Sequence, residues 1–203
     1  MAAPVYSAGT VGNLINAVSI AAGGSKDAAA FYDGSTVVET QLTLELITGS
    51  TAPSKQTTFN IYKVYAAGSS APLTFASSAS AGATTITLNS AGSLQKGMQF
   101  LIQQASGSKL GEVVTVSSIA GAAITLAAGT INAYSTNDLA YYIAQTATFT
   151  AAPASSSGSW SASSDYSVAV FLGPGQWCVQ AVNTDTSASV TVNVTYDQVT
   201  KYQ

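Results

Sequence analysis

The sequence predicts an all-β protein, a β-sandwich interrupted by a small inserted β module. Three observations predict it. Period-two alternation of polar and apolar residues recurs along the chain, and turn-forming clusters separate the alternating runs at short intervals. Two stretches rich in Ala, Ser and Gly, residues 66–82 and 151–164, bracket one compact group of runs. The 203 residues suffice to bury a sizeable core without a disulfide or a metal.

Residues 41–48 alternate cleanly and place Leu42, Leu44 and Leu46 on one face. Within residues 58–65, Phe59, Ile61 and Tyr65 share a face. Residues 84–88 are β-branched and alternating, and further strand runs are 98–103, 112–119, 123–126, 141–149, 166–171, 176–183 and 189–196. Asp33-Gly34-Ser35, Ala91-Gly92-Ser93, Ala120-Gly121-Ala122 and Gly173-Pro174-Gly175 supply the turns between them. Helical spacing is weak, and residues 11–18 and 28–31 support a turn or two of helix at most. The organisation expected is an N-terminal arm over residues 1–17, an outer sandwich from 18–72 plus 144–203, and an inserted module over 73–143. An insertion of this size is tolerated at a loop tip because closure entropy grows slowly with loop length.

Charge decides the function class. Only 7% of residues are charged, against about 25% in an average globular protein. All six cations are lysines, spread singly, and the chain has neither arginine nor histidine. With a net charge of −3 and no basic patch, nucleic acid is not an expected partner. Mean hydropathy is +0.29, but no apolar run approaches the roughly 20 residues of a membrane helix, so no membrane partner is expected either. A surface this neutral suits a protein covered in an assembly or hydrated by hydroxyls and amides. The N-terminus lacks a positive region ahead of an apolar stretch, which points to synthesis in a cytoplasm without secretion.

Catalytic chemistry has few residues to draw on. Without histidine, Ser–His–Asp and Cys–His sites are excluded. Cys178 stands alone, so it can neither close an intrachain disulfide nor build a zinc site, and its strand context reads as a small buried hydrophobe. The acids Asp27, Asp33, Glu39, Glu45, Glu112, Asp138, Asp165, Asp185 and Asp197 could in principle pair for glycoside hydrolysis. Most stand beside Gly, Ser, Thr or Asn, where short acids cap turns, while Glu45 and Glu112 fall in strands and are expected to face solvent. The oxygen-rich run 183–186 matches no calcium-loop spacing, and Gly23-Gly24-Ser25-Lys26 matches no phosphate loop. Asn193-Val194-Thr195 fits a glycosylation sequon, which matters only in a eukaryotic secretory setting. No catalytic residue, cofactor or metal is therefore expected.

The segments Gly82-Ala83-Thr84-Thr85-Ile86-Thr87-Leu88, Leu94-Gln95-Lys96-Gly97-Met98 and Gly111-Glu112-Val113-Val114-Thr115-Val116, closed by Ala123-Ile124-Thr125-Leu126, resemble a β module common in tailed-bacteriophage virion proteins. Residues 165–170, Gly173-Pro174-Gly175-Gln176-Trp177 and 189–192 look like strands of a phage Ig-like or jelly-roll sandwich. Together these cover about half the chain. The resemblance implies a virion structural protein, made in the host cytoplasm and located in the virion. Its partners would be the major capsid protein or other virion proteins, and the symmetric self-assembly it implies is a trimer or dimer. Two roles stay open. A capsid decoration (cement) protein would tie neighbouring capsid subunits together. A tail, neck or fibre component would carry a carbohydrate-binding or adhesin surface. Val5, Tyr6, Leu14 and Ile15 are candidate apolar anchors of the arm, and Trp160, in a Ser-rich loop, is a candidate for subunit contact or sugar stacking. Trp177, beside a turn within an alternating strand, is expected in the core.

Overall fold

A computed structural model describes residues 5–27, 31–32, 37–65, 73–106, 110–151, 165–173 and 175–202. Every regular element among them is a strand. In chain order these are β1 (Val5–Ile20), β2 (Ser25–Asp27), β3 (Phe31–Tyr32), β4 (Val37–Thr48), β5 (Thr57–Tyr65), β6 (Leu73–Thr74) and β7 (Thr85–Thr87). There follow β8 (Gln99–Gln103), β9 (Gly111–Ala120), β10 (Ala123–Leu126), β11 (Leu139–Ala151), β12 (Asp165–Leu172), β13 (Gln176–Asn183) and β14 (Val190–Tyr202). The all-β class read from alternation is the class observed. Contacts divide the chain into two compact units. The first comprises Met1–Lys26, Phe31–Ile61 and Ala147–Gln203, and the second comprises Asp27–Ala30 and Tyr62–Thr146.

In the first unit a four-stranded antiparallel sheet runs in the order β1-β14-β4-β12. Leu42, Leu44 and Leu46 pair with Tyr196, Val194 and Val192, so the alternation of both strands falls on one buried row set. In a second sheet β13 lies beside β2, β3 and β5. Phe59, Ile61, Val179 and Ala181 from these strands are buried, as are Ile15, Ile20, Val190, Val192 and Val194 from the first sheet. Burying each such side chain is worth about 1.5–3 kcal/mol, which fixes the register of both sheets. Trp177 is buried with its indole N–H donated to the Gly173 carbonyl at 3.1 Å, and Cys178 is fully buried.

The arm expected over residues 1–17 is, from Val5 onward, the greater part of β1, which is paired with β14 from Val5↔Tyr202 to Ile20↔Val190. The weak helical spacing of residues 11–18 belongs to the same strand, and of the 28–31 run only Phe31 is described, in β3. Three register shifts explain why β1 does not read as a strand. Each inserts one extra residue of β1 against β14, at Ala8/Val11, Asn13/Ile15 and Ile15/Val18. Every insertion swaps the face to which later side chains point, so period two is lost along the sequence although pairing is kept. Gly12 lets the Tyr196 ring lie close across the strand pair, since a Cβ at this position would lie 2.7 Å from the ring and force it to shift.

The second unit is built on β8, which pairs antiparallel with β9 and β11, while β10 pairs with β9 and β7, and β6 with β11. Its core gathers Phe75, Ile86, Leu88, Phe100, Ile102, Val114, Val116, Ile124, Leu126, Tyr134 and Tyr142. Phe75 stacks on Tyr134 with ring centroids 5.1 Å apart. The loop after β10 lies tight against the turn before β7: Thr130 N–H donates to Ala83 O at 3.0 Å, and Gly82 N–H to Thr130 O at 2.6 Å. A Cβ on Gly129 would fall 2.6 Å from the Gly82 carbonyl oxygen, so only glycine permits this approach.

Candidate functional site

The polar chemistry of the first unit converges on Asp185, just past the end of β13. Its side chain is fully buried. Oδ1 accepts from the amides of Ser187 (2.7 Å) and Ala188 (2.8 Å) and from Ser187 Oγ (2.9 Å). Oδ2 accepts from the amides of Ser54 (2.5 Å) and Lys55 (3.0 Å) and from Ser54 Oγ (2.8 Å). The carboxylate thus closes its own turn and clamps it to the 53–56 loop. The Ser187 amide, with those of Ala188 and the Ser54 hydroxyl, holds the Asp185 carboxyl far below the ordinary carboxylate range, against the opposing effect of burial. Asn183, also fully buried, extends the clamp. Its Nδ2 donates to the carbonyls of Ile20, Ala21 and Ala188, and its Oδ1 accepts the Asp185 amide.

The second unit contains a comparable centre around Glu112. The expectation that Glu112 faces solvent is wrong: it lies on β9 at 2% exposure. Its Oε2 accepts the Ile131 amide at 2.7 Å, and its Oε1 accepts the Asn132 amide at 2.9 Å and the Tyr134 hydroxyl at 2.8 Å. Tyr134 is pushed well above the ordinary phenol range, chiefly by burial and then by the charge of Glu112. Asp138 clamps the same region, accepting the amides of Ser135 (2.8 Å) and Ala105 (2.9 Å). Asp27 accepts the Val113 amide at 2.7 Å. The buried acids of both units are thus hydrogen-bonded to backbone amides that strand ladders do not satisfy. Among the described residues no three or more Cys, Asp or Glu side chains are grouped so as to hold a metal ion.

One of these clamps holds a segment that displays an apolar side chain. Ile131, whose amide is held by Glu112, is 62% exposed. Leu110 is also exposed, and Gln104 ties its amide to the same loop by accepting from Leu110 N–H (3.3 Å) and donating to Ala133 O (2.9 Å). In the first unit Phe171, 62% exposed, stands on the outward face of β12, and Val168 is exposed on its other face.

The sequence-based candidates fall elsewhere. Ile15 is buried in the chain's own core, and Leu14 is half-buried in β1. Val5 and Tyr6 belong to β1, where their backbones pair with Tyr202 and Lys201, and their side chains lie outside the described residues. Trp160 lies outside the described residues altogether. Phe171 was legible as an apolar residue ending an alternating strand. Ile131 had no signal, because its display depends on an acid 19 residues away.

No protein-family model matches the chain, and no curated protein does. Among solved structures, the chain is similar to VP17, a capsid protein of bacteriophage P23-77, at 10% identity over 96% of this chain and 99% of that one, with a TM-score of 0.17. It is also similar to the VP16-VP17 complex of the two major capsid proteins of that phage, at 10% identity over 97% of this chain and 100% of that one, with a TM-score of 0.20. The infectious bursal disease virus VP2 subviral particle matches at 10% identity over 98% of this chain and 42% of that one, with a TM-score of 0.17.

Proposed function

We propose that this chain is a virion structural protein, a cement protein that binds across neighbouring capsid subunits and stabilises the shell. The observation that carries the reading is the display of Ile131, a large apolar side chain, on a loop held by the buried Glu112. Rigid anchors lose little conformational freedom on docking, so their burial converts efficiently into affinity. The sparse charge of the chain supports the same reading, since a surface with 7% charged residues is suited to being covered. So does the resemblance of residues 82–126 to a virion β module. The partner in this reading is the major capsid protein or another virion protein. The acids act as loop clamps, and the reading needs no cofactor or catalysis.

The test adds purified protein to the matching capsids stripped of it, and follows binding together with the temperature at which the shell releases its genome. Saturable binding and a higher release temperature are expected, both weakened by Ile131→Asp. Binding confined to tails or fibres, or to a glycan array, would replace the cement reading with the adhesin one.

A further inference from the structure

The four-stranded sheet of the first unit has two edges, and they are treated differently. Edge β1 is distorted by three inserted residues, carries Gly12, and holds Ala17 at φ 46°, a combination that twists an edge away from further pairing. Edge β12 has none of these devices. It pairs with β4 over eight consecutive residues, Asp165↔Ile47 to Leu172↔Thr40, without a shift. Its sequence, Asp165-Tyr166-Ser167-Val168-Ala169-Val170-Phe171-Leu172, has no lysine, no proline and no glycine, and one charge at its first residue. Among the described residues β4 is its sole strand neighbour.

The buried rows of the sheet show what is missing. One row runs across the strands as Ile15, Val194, Leu44 and Val168, each paired with the next. The first three are at most 2% exposed, yet Val168 is 44% exposed. The row stops one side chain short of burying its last member. We propose that β12 is a pairing edge for a second copy of this chain, joined antiparallel about a two-fold axis at Val168, so that each Val168 covers the other. A two-fold normal to the sheet keeps faces matched, and it sets Tyr166 of each copy beside Val170 of the other on the same face. Charge favours a second copy as the occupant. Centred on Val168, the pairing places Asp165 of each strand opposite Phe171 of the other, so the two acids stand at opposite ends and no like charges meet. Each strand also brings the same ladder spacing, which main-chain pairing requires. The inference is independent of the virion reading.

The full chain is tested by sedimentation over a range of concentrations, with far-ultraviolet dichroism to verify folding. A reversible dimer is expected. Val168→Lys, at an exposed position, should keep the β spectrum and raise the dimer dissociation constant about tenfold or more. In Val168→Cys, mild oxidation should give a covalent dimer in high yield, while Ser93→Cys, in the other unit, should not. A chain that stays monomeric at all concentrations overturns the proposal. So does a dimer that survives Val168→Lys or fails to cross-link through position 168.

Discussion

Asp185 and Glu112 do the same work in the two units by different routes. Asp185 is a short side chain at the end of a strand. It accepts two amides from its own turn and two from a loop 130 and 131 residues earlier in the chain. Glu112 is a longer side chain at the start of a strand. It reaches only the loop 19–22 residues ahead, but it also receives a buried phenol. The difference teaches where stability is spent. The Asp185 clamp joins distant parts of the first unit and offsets a large loop-closure entropy, whereas the Glu112 clamp shapes one local loop and the side chain it displays.

Breaking the long-range clamp should have the largest effect. Asp185→Ala strips the acceptor from the Ser54, Lys55, Ser187 and Ala188 amides, and should cost the first unit about 2–4 kcal/mol. Hydrogen exchange should localise the loss to β13, β14 and the 53–56 loop, leaving β8–β10 protected. The same clamp sets the acid limit. Because the Asp185 carboxyl titrates lower folded than unfolded, its stabilisation is complete above the unfolded value near 4 and fades as pH falls below it. Acid unfolding followed by dichroism should therefore be shallower in Asp185→Asn than in the parent chain.

A smaller effect is expected from the local clamp. Glu112→Ala leaves the Ile131 and Asn132 amides and the Tyr134 hydroxyl without their acceptor, a cost of about 2 kcal/mol confined to the second unit. If exchange in the first unit rises equally, the two clamps are not the separate devices described here. Tyr134→Phe should be the mildest, at about 1 kcal/mol near neutral pH. Its signature is alkaline. Tyr134 ionises higher folded than unfolded, so its contribution is full below about pH 10 and is lost as pH rises above that. Removing the hydroxyl should flatten the alkaline limb of the stability curve by that contribution.

Alternation in residues 41–48 and 189–196 was legible because these runs of β4 and β14 keep one face in a core and pair without a shift from Val190↔Thr48 to Val199↔Glu39, which preserves period two. β1 was not legible for the converse reason, since its three insertions alternate faces in the fold but scramble them in the sequence. The candidate site was less legible still. Glu112 in Gly111-Glu112-Val113 reads like any exposed strand acid, and nothing local announces the amides of residues 131 and 132 waiting for it. Asp185 could be read as a turn acid, but not as the clamp on a loop on the far side of the chain.

By itself the sequence determined the all-β class and the poverty of catalytic groups, because side-chain period and residue inventory are local properties that no packing can alter. Tertiary structure alone decided that residues 5–20 form a bulged strand, that Glu112 is buried, and that Ile131, Val168 and Phe171 stand exposed. Those outcomes depend on which backbone amides and which apolar rows meet across separations of 19 to 197 residues, and that is settled only when the sheets close.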